Sequence, residues 1–230
     1  MLKKYVLFDF DGVIANTEES NARYLEKALR VYGVALTAEE RKSLLGTNDA
    51  SRLQRILDAK NIGISMEEFI LTRRQMGNTY ENGDICPMEG LIPMIMWLRE
   101  KGIQTGIASS TSARLIITAL NRMRITPLFD VIVCGDMCMR SKPHPEIYQK
   151  TMKHLEALPG ECIVIEDSAP GIHAAKAAGA YVIAYCGSKI EQDICEADFS
   201  VDTYEECWKK LREMLDASLD QKYVGKTGKC

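Results

Sequence analysis

The sequence lacks the features that mark membrane and exported proteins. No run of about 18 apolar residues occurs, so we expect no transmembrane helix. The apolar segment near the N-terminus is interrupted by Asp9 and Asp11, whereas a signal peptide needs an unbroken apolar stretch and a cleavage site with small residues. We therefore predict a cytoplasmic protein that has no membrane partner.

A basic excess is also missing. The formal net charge is -3 and the isoelectric point is near 5.7, which does not fit a nucleic-acid-binding surface. The chain has 230 residues, of which 46% are hydrophobic and 27% charged, so it can bury a substantial core. This length predicts one large domain, or a core with a smaller inserted domain.

The cysteines show no metal-binding or disulfide pattern. None of the eight forms a Cys-x-x-Cys pair, and no histidine lies near Cys134 and Cys138 to complete a zinc site. Cys134, Cys162 and Cys186 lie in or beside apolar runs, where a thiol behaves as a small hydrophobic group. We expect reduced, structural cysteines.

Six short apolar runs alternate with amphipathic stretches of helical length. Several runs are continuously apolar, as is typical of strands that are buried on both faces of a parallel sheet. The alternation of strand and helix predicts an α/β fold with a doubly wound, Rossmann-like parallel sheet. The predicted strands are YVLFDF (5–10), QTGIASS (104–110), DVIVCG (130–135), ECIVIED (161–167), YVIAYC (181–186) and FSVD (199–202).

One segment interrupts this alternation. Between about Thr17 and Gly83 the sequence has only helical patterns and no buried strand. The segment is far longer than the few residues that usually connect a strand to its helix. We predict an inserted α-helical domain over residues 17–85 and an α/β core formed by residues 1–16 and 86–230.

Two acidic pairs follow predicted strands. Asp9 and Asp11 are two residues apart and point to the same side of a strand end, and Glu166 with Asp167 ends a second strand. In open α/β sheets, ligands bind beyond these C-terminal ends. Two carboxylates ~4 Å apart repel by ~4 kcal/mol at an effective dielectric constant of ~20, so such a cluster needs a shared proton or a cation.

Oxygen ligands of this kind favour Mg²⁺, so we predict a magnesium site. The structural alternative is that Asp-Gly forms a turn or that aspartate caps a helix.

Hydroxyl groups and a lysine follow two other predicted strands. Ser109, Ser110 and Thr111 precede a helix, and hydroxyl and backbone N–H groups in this position suit phosphate oxygens. Lys142 lies in RSKPHPE, between a loop and two prolines, and could supply positive charge beside the acidic cluster. The alternatives are helix capping for the serines and a solvated surface charge for the lysine.

In order and spacing, Asp9-x-Asp11-Gly-Val, Ser109, Lys142-Pro and Glu166-Asp167-Ser resemble the haloacid dehalogenase-like hydrolase superfamily. The segment IEDSAPGIHAAKAAG is similar to the subgroup that contains β-phosphoglucomutase and small sugar-phosphate phosphatases. The resemblance spans the whole chain. It implies an α/β catalytic core, a helical cap domain in the position of the insert, and a monomer.

The resemblance also implies catalytic roles. Asp9 would attack phosphorus and become an aspartyl-phosphate, and Asp11 would act as general acid and then as general base. Ser109, Ser110 and Lys142 would hold the phosphoryl oxygens. Dehalogenases of this superfamily lack a carboxylic acid at the position of Asp11, because a halide needs no proton to leave. The chain therefore resembles the members that transfer phosphoryl groups.

For the cofactor, the resemblance implies Mg²⁺ bound by Asp9, the main-chain carbonyl of Asp11, and Asp167, with Glu166 close by.

The cap departs from the mutase pattern. Asn21 stands where the mutase has a histidine, Asp49 where it has an arginine, and Gln75 where it has a lysine. Without these groups the cap lacks a cationic clamp for a second phosphate, which favours hydrolysis over mutase activity. We expect the substrate to be selected by Asn21, Asn48, Asp49 and Arg74.

The sequence thus predicts a Mg²⁺-dependent phosphatase that hydrolyses a small phosphorylated metabolite through an aspartyl-phosphate. We expect this metabolite to be a sugar phosphate. The nearest alternative is a β-phosphoglucomutase-like isomerase. Two further alternatives are a signalling receiver that accepts a phosphoryl group and a binding protein without catalysis. A receiver would be much shorter and would have no helical insert.

Overall fold

The computed structural model describes residues 3–44, 50–190 and 192–224, without the side chains of residues 50 and 216–224. The chain divides into two compact units. One comprises Met1–Ala15 and Pro87–Cys230, and the other comprises Asn16–Cys86. Each unit has its own hydrophobic core.

The larger unit is built on a six-stranded parallel sheet, which confirms the predicted α/β class and all six predicted strands. The strands are β1 Tyr5–Phe8, β2 Gln104–Ser109, β3 Val131–Cys134, β4 Cys162–Glu166, β5 Tyr181–Tyr185 and β6 Phe199–Val201. Their order across the sheet is β3-β2-β1-β4-β5-β6. Beyond the first one or two residues of each strand, these residues are buried, which explains why the runs are continuously apolar.

The strand order determines where the acidic pairs lie. Strand β1 is central and pairs with β2 on one side and with β4 on the other. Strands β2 and β3 therefore lie on one side of β1 and strands β4 to β6 on the other, which makes β1 and β4 the point where the strand order reverses. Phe8 is level with Ile107 in β2 and with Ile165 in β4. The residues that follow these three therefore lie side by side at the C-terminal edge. A signalling receiver has the order 2-1-3-4-5, which this sheet does not have.

Among the described residues of the same unit, five α-helices flank the sheet. They are α6 Leu91–Glu100, α7 Ala113–Met123, α8 Glu146–His154, α9 Ala169–Ala177 and α10 Tyr204–Val224. Helices α8 and α9 pack against each other and share a buried cluster with Leu7 and Val164 of the sheet. This cluster includes Tyr148, Met152 and Ile172, so α8 is fixed against the central strands.

The Asn16–Cys86 unit is helical in the residues that are described. Its helices are α1 Glu18–Val31, α2 Ala38–Leu44, α3 Ala50–Ala59, α4 Met66–Gln75 and the short α5 Thr79–Asn82. Leu29, Leu57 and Phe69 are buried in its core. Ser65 and Glu68 form a capping box that begins α4, with each side chain accepting a hydrogen bond from the other residue's backbone N–H.

Within the part of the chain that the structure describes, no helix combines the length and the apolar character needed to cross a bilayer. The cytoplasmic location remains a prediction.

Candidate active site

Three carboxylates meet at the C-terminal edge of the sheet. Asp9 follows β1, and its backbone N–H donates to the carbonyl of Ile165 in β4 at 3.0 Å, which continues the pairing by one residue. Asp9, Glu166 and Asp167 each offer a carboxylate oxygen, and these oxygens lie within 4.8 Å of one another. Asp9 and Glu166 are buried, and Asp167 is half-buried.

Lys142 provides the positive charge of this cluster. Its Nζ donates to Asp9 Oδ1 at 2.5 Å, to Glu166 Oε1 at 2.6 Å and to the carbonyl of Ala108 at 3.0 Å. Only 6% of the Lys142 side chain is exposed, so these are buried ion pairs. The solvated surface charge that we considered as an alternative is therefore wrong for this lysine.

The pKa values of the cluster are shifted first by burial and then by the neighbouring charges. Burial raises the pKa of Asp9 to about 8, and although Lys142 opposes the shift, Glu166 and Asp11 add to it. Burial, then Glu166 and Asp9, raise the pKa of Asp167 well above its ordinary value. Burial alone would lower the pKa of Lys142, but Asp9 and Glu166 raise it well above its ordinary value. One ammonium group does not compensate this many carboxylates.

The arrangement suits a divalent cation. Carboxylate oxygens are the ligands that Mg²⁺ and Ca²⁺ prefer, and a cation would offset the burial and, after it, the like-charge repulsion that raise the pKa values of Asp9 and Asp167. Gly12 leaves the room that Asp167 needs, since a Cβ atom on Gly12 would lie 1.9 Å from Asp167 Oδ2. Gly12 also has φ +77°, which is the left-handed region that favours glycine.

The second aspartate of the first pair lies beside the residues that follow β2. Asp11 Oδ2 accepts a hydrogen bond from Thr111 Oγ1 at 3.0 Å. Ser109 is fully buried, and its Oγ accepts from the backbone N–H of Thr111 at 3.1 Å. Ser110 is exposed, and its carbonyl packs closely against Gly135, where no side chain would fit. Thr111 thus connects this segment to Asp11, and the binding of phosphate by Ser109 and Ser110 remains a prediction.

The predicted substrate residues belong to the Asn16–Cys86 unit. Asn21 is half-buried on α1, and its Oδ1 accepts from Thr79 Oγ1 at 2.7 Å. Arg74 is exposed near the end of α4. Asn48 and Asp49 lie outside the described residues. The roles of these four residues in substrate binding remain predictions.

Sequence reasoning missed one buried residue of the site. Tyr148 on α8 is fully buried and donates its hydroxyl hydrogen to Glu166 Oε1 at 3.0 Å. Its ring centroid lies 5.0 Å from Lys142 Nζ. The only signal in the sequence is a tyrosine on the apolar face of a helix six residues after Lys142, and a buried tyrosine usually needs a partner for its hydroxyl.

Comparison with known proteins places these residues in a family context. The sequence profile of the family described as haloacid dehalogenase-like hydrolase matches residues 6–185. The phosphorylated carbohydrates phosphatase of Thermotoga maritima is 29% identical over 174 residues, which are 76% of this chain and 81% of the relative.

Two further relatives cover most of the chain. Protein CbbY of Cereibacter sphaeroides is 30% identical over 213 residues, covering 87% of this chain and 92% of the relative. The crystal structure of β-phosphoglucomutase from Clostridium difficile superposes with a TM-score of 0.72 at 25% identity, covering 95% of this chain and 99% of that chain.

The space at Gly12 generates a prediction. Gly12→Ala should weaken Mg²⁺ binding, measured by calorimetry, by about tenfold or more, because the methyl group would displace Asp167. Gly102→Ala is the matched control, since Gly102 has φ +72° but nothing within 4 Å of its Cβ position. It would carry the same backbone strain of about 1 kcal/mol without the collision. Equal Mg²⁺ affinities of the two variants would contradict the prediction.

Proposed function

Because this chain belongs to the haloacid dehalogenase-like hydrolase family, we propose that it is a Mg²⁺-dependent phosphatase that hydrolyses a small sugar phosphate through an aspartyl-phosphate on Asp9. The family predicted from the sequence motifs is thereby confirmed. The relatives named as phosphatases also bear out the predicted reaction class, a phosphatase of this family. The substrate, the metal and the roles of individual residues are the content of the proposal.

The proposal rests above all on the position of Asp9. Its carboxylate lies at the switch point of the sheet, where ligands of open α/β folds bind. The Asp9 carboxylate is 2.5 Å from the ammonium group of Lys142. This ammonium group can stabilise the negative charge that develops on the oxygens of a transferred phosphoryl group. A carboxylate held in this way can attack phosphorus in line with the leaving oxygen.

In the first step, an oxygen of Asp9 forms a bond to phosphorus while the bond from phosphorus to the substrate oxygen breaks. Asp11 donates a proton to that leaving oxygen. In the second step, Asp11 takes a proton from water, the water oxygen attacks phosphorus, and the bond to Asp9 breaks. Inorganic phosphate leaves and both aspartates return to their initial states. The hydrogen bond from Thr111 Oγ1 to Asp11 Oδ2 holds the carboxyl group of Asp11 in one orientation.

Ser109, Ser110 and Lys142 would hold the phosphoryl oxygens. The backbone N–H of Ala113 at the start of α7 already donates to Asp136 Oδ1 at 2.9 Å, so the hydroxyl groups and the lysine are the donors that the proposal assigns to the phosphate. Mg²⁺, when bound by Asp9, Asp167 and the main-chain carbonyl of Asp11, would neutralise charge on the transferred group. Glu166 adds negative charge beside these ligands, which strengthens the need for a divalent cation.

Hydrolysis is favoured over mutase chemistry by the residues of the helical unit. A mutase has to hold a bisphosphate, and the family's mutase pattern places basic groups where this chain has Asn21, Asp49 and Gln75. Asn21 is uncharged, and its side-chain oxygen already accepts a hydrogen bond from Thr79. The name of the Thermotoga maritima relative supports a phosphorylated carbohydrate as the substrate class. We propose that the unit acts as a cap that selects the leaving group.

The proposed function predicts phosphate release from a small phosphorylated sugar. The measurement is a screen of phosphorylated sugars and nucleotides in the presence of Mg²⁺. The same protein, primed with a hexose bisphosphate, is given hexose 1-phosphate, and formation of hexose 6-phosphate is followed. We expect phosphate release and no 6-phosphate. Isomerisation without net phosphate release would instead establish the mutase alternative.

Replacing the proposed nucleophile should abolish turnover. We expect Asp9→Asn to lose at least about a thousandfold in kcat, because the amide cannot form the acyl-phosphate. Circular dichroism would check that the fold is retained. Asp202→Asn, which changes an exposed aspartate after β6, is the control that should keep full activity. Substantial turnover by homogeneous Asp9→Asn protein would refute the assignment of the nucleophile.

Removal of divalent metal should silence the enzyme reversibly. We expect activity to fall to background in excess EDTA. Without the cation, the carboxylates of Asp9 and Asp167 repel an anionic substrate. Added Mg²⁺ should restore it, and EDTA already saturated with Mg²⁺ serves as the control. Asp167→Asn should raise the Mg²⁺ concentration for half-maximal activity by about tenfold or more. Full activity of the metal-free protein would contradict the metal site.

A further inference from the structure

The ammonium group of Lys142 has no N–H group to spare. It carries three donors, and the structure gives it three acceptors: Asp9 Oδ1, Glu166 Oε1 and the carbonyl of Ala108. An arriving phosphoryl oxygen can therefore be bound by Lys142 only if one of these three contacts is released. Which contact gives way decides where the ammonium group stands when the substrate is bound.

Two of the three acceptors are fixed. The Ala108 carbonyl belongs to strand β2, between β1 and β3, and is held by the sheet. The Glu166 carboxylate is fully buried, and its Oε2 accepts from the backbone N–H groups of Asp167 and Ser168 and from Ser168 Oγ, at 2.9 to 3.0 Å. Asp9 is the acceptor whose bonding changes in the proposed reaction. Lys142 would thus exchange Asp9 for the phosphoryl group and stay on the other two.

Glu166 can hold Lys142 in place because its own carboxylate is fixed by hydrogen bonds from several neighbouring residues. A carboxylate offers about four lone-pair positions, and five donors from the protein converge on this one. Gly171 on α9 is required for this placement, since a Cβ atom there would lie 1.6 Å from Glu166 Oε1. Glu166 Oε1, the oxygen that binds Lys142, has one further partner, the hydroxyl group of Tyr148.

We propose that Tyr148 is a positioning residue for the phosphate-binding lysine: its hydroxyl fixes Glu166 Oε1 and so holds Lys142 Nζ where a phosphoryl oxygen can replace Asp9. The inference rests on the proposed function, in which Lys142 binds the phosphoryl group. Tyr148 is fully buried on α8, and its ring lies 5.0 Å from Lys142 Nζ, so the lysine is held from two sides. Burial and then Glu166 raise the pKa of Tyr148 well above its ordinary value, which keeps the hydroxyl a donor.

The test is Tyr148→Phe, which removes the hydroxyl group and leaves the ring. The phenyl ring still packs against Lys142, so the variant removes only what the hydroxyl contributes, its hydrogen bond to Glu166 and its polar contact with Lys142. We expect the dissociation constant of inorganic phosphate, measured by calorimetry at saturating Mg²⁺, to rise about three- to tenfold, and kcat/KM to fall by a similar factor. Mg²⁺ binding in the absence of phosphate should change by less than about twofold, because the hydroxyl does not contact Asp9 or Asp167.

Thr105→Val is the matched control. Thr105 is also fully buried in the larger unit, and its hydroxyl donates to the carbonyl of Leu128 at 2.6 Å, at the other end of β2 from the site. Thr105→Val should lower the thermal unfolding temperature, as we also expect of Tyr148→Phe. Unlike Tyr148→Phe, it should leave the phosphate affinity at the wild-type value. Such a difference would separate positioning of Lys142 from a general loss of stability.

Three results would overturn the inference: wild-type phosphate affinity in Tyr148→Phe, an equal loss of phosphate affinity in Thr105→Val, or a parallel loss of Mg²⁺ affinity in Tyr148→Phe. These leave the phosphatase itself intact, because the wild-type protein would still bind and release phosphate. If the wild-type protein released no phosphate from any substrate and bound none, the proposed function would fail, and the role of Tyr148 would fail with it.

Discussion

A single ammonium group holds together a cluster of buried carboxylates, and the arrangement of the larger unit depends on it. Lys142 Nζ contacts Asp9 and Glu166 directly, in a site where its side chain is 6% exposed. An ion pair at ~4 Å contributes ~4 kcal/mol at an effective dielectric constant of ~20, and removing one partner of a buried pair costs about 3–5 kcal/mol. Lys142 offsets part of the desolvation of these carboxylates, and a shared proton or a bound cation would offset the rest.

The fold satisfies this constraint by bringing separate segments to one edge of the sheet. Asp9 follows β1, Glu166 ends β4, and Lys142 comes from the loop between β3 and α8. That loop is itself held in shape, because Glu146 accepts hydrogen bonds from the backbone N–H groups of Met139 and Arg140. The pKa of Glu146 is lowered to about 2, first by the hydrogen bond from Met139 and then by Lys150 and by the hydrogen bond from Arg140. The cluster therefore forms only when strands β1 to β4 are paired in this order.

The sequence predicts much of this because backbone periodicity and residue chemistry are local properties. Continuous apolar runs identified the six strands, and acidic or hydroxyl residues directly after them indicated which side chains would meet. The hydroxyl of Tyr148 could not be predicted in the same way, because its contact with Glu166 depends on how α8 is rotated and shifted against β4. The five hydrogen bonds that Glu166 accepts also depend on how the chain turns at the start of α9. The spacing of residues in the sequence does not indicate them. The roles of Asn21 and Arg74 depend on the bound substrate, so neither sequence nor fold decides them.

The same charge balance bears on the reaction. A phosphate monoester brings about two negative charges to a cluster whose carboxylates already outnumber its one lysine, and a bound divalent cation would offset these two. A bisphosphate would bring two more, which a mutase has to neutralise with further cations near the leaving group. In the described part of the helical unit, the position that the mutase pattern gives to a histidine is occupied by Asn21, an amide paired with Thr79. An uncharged residue there disfavours a second phosphate and leaves water as the acceptor of the phosphoryl group, which is the requirement for a phosphatase.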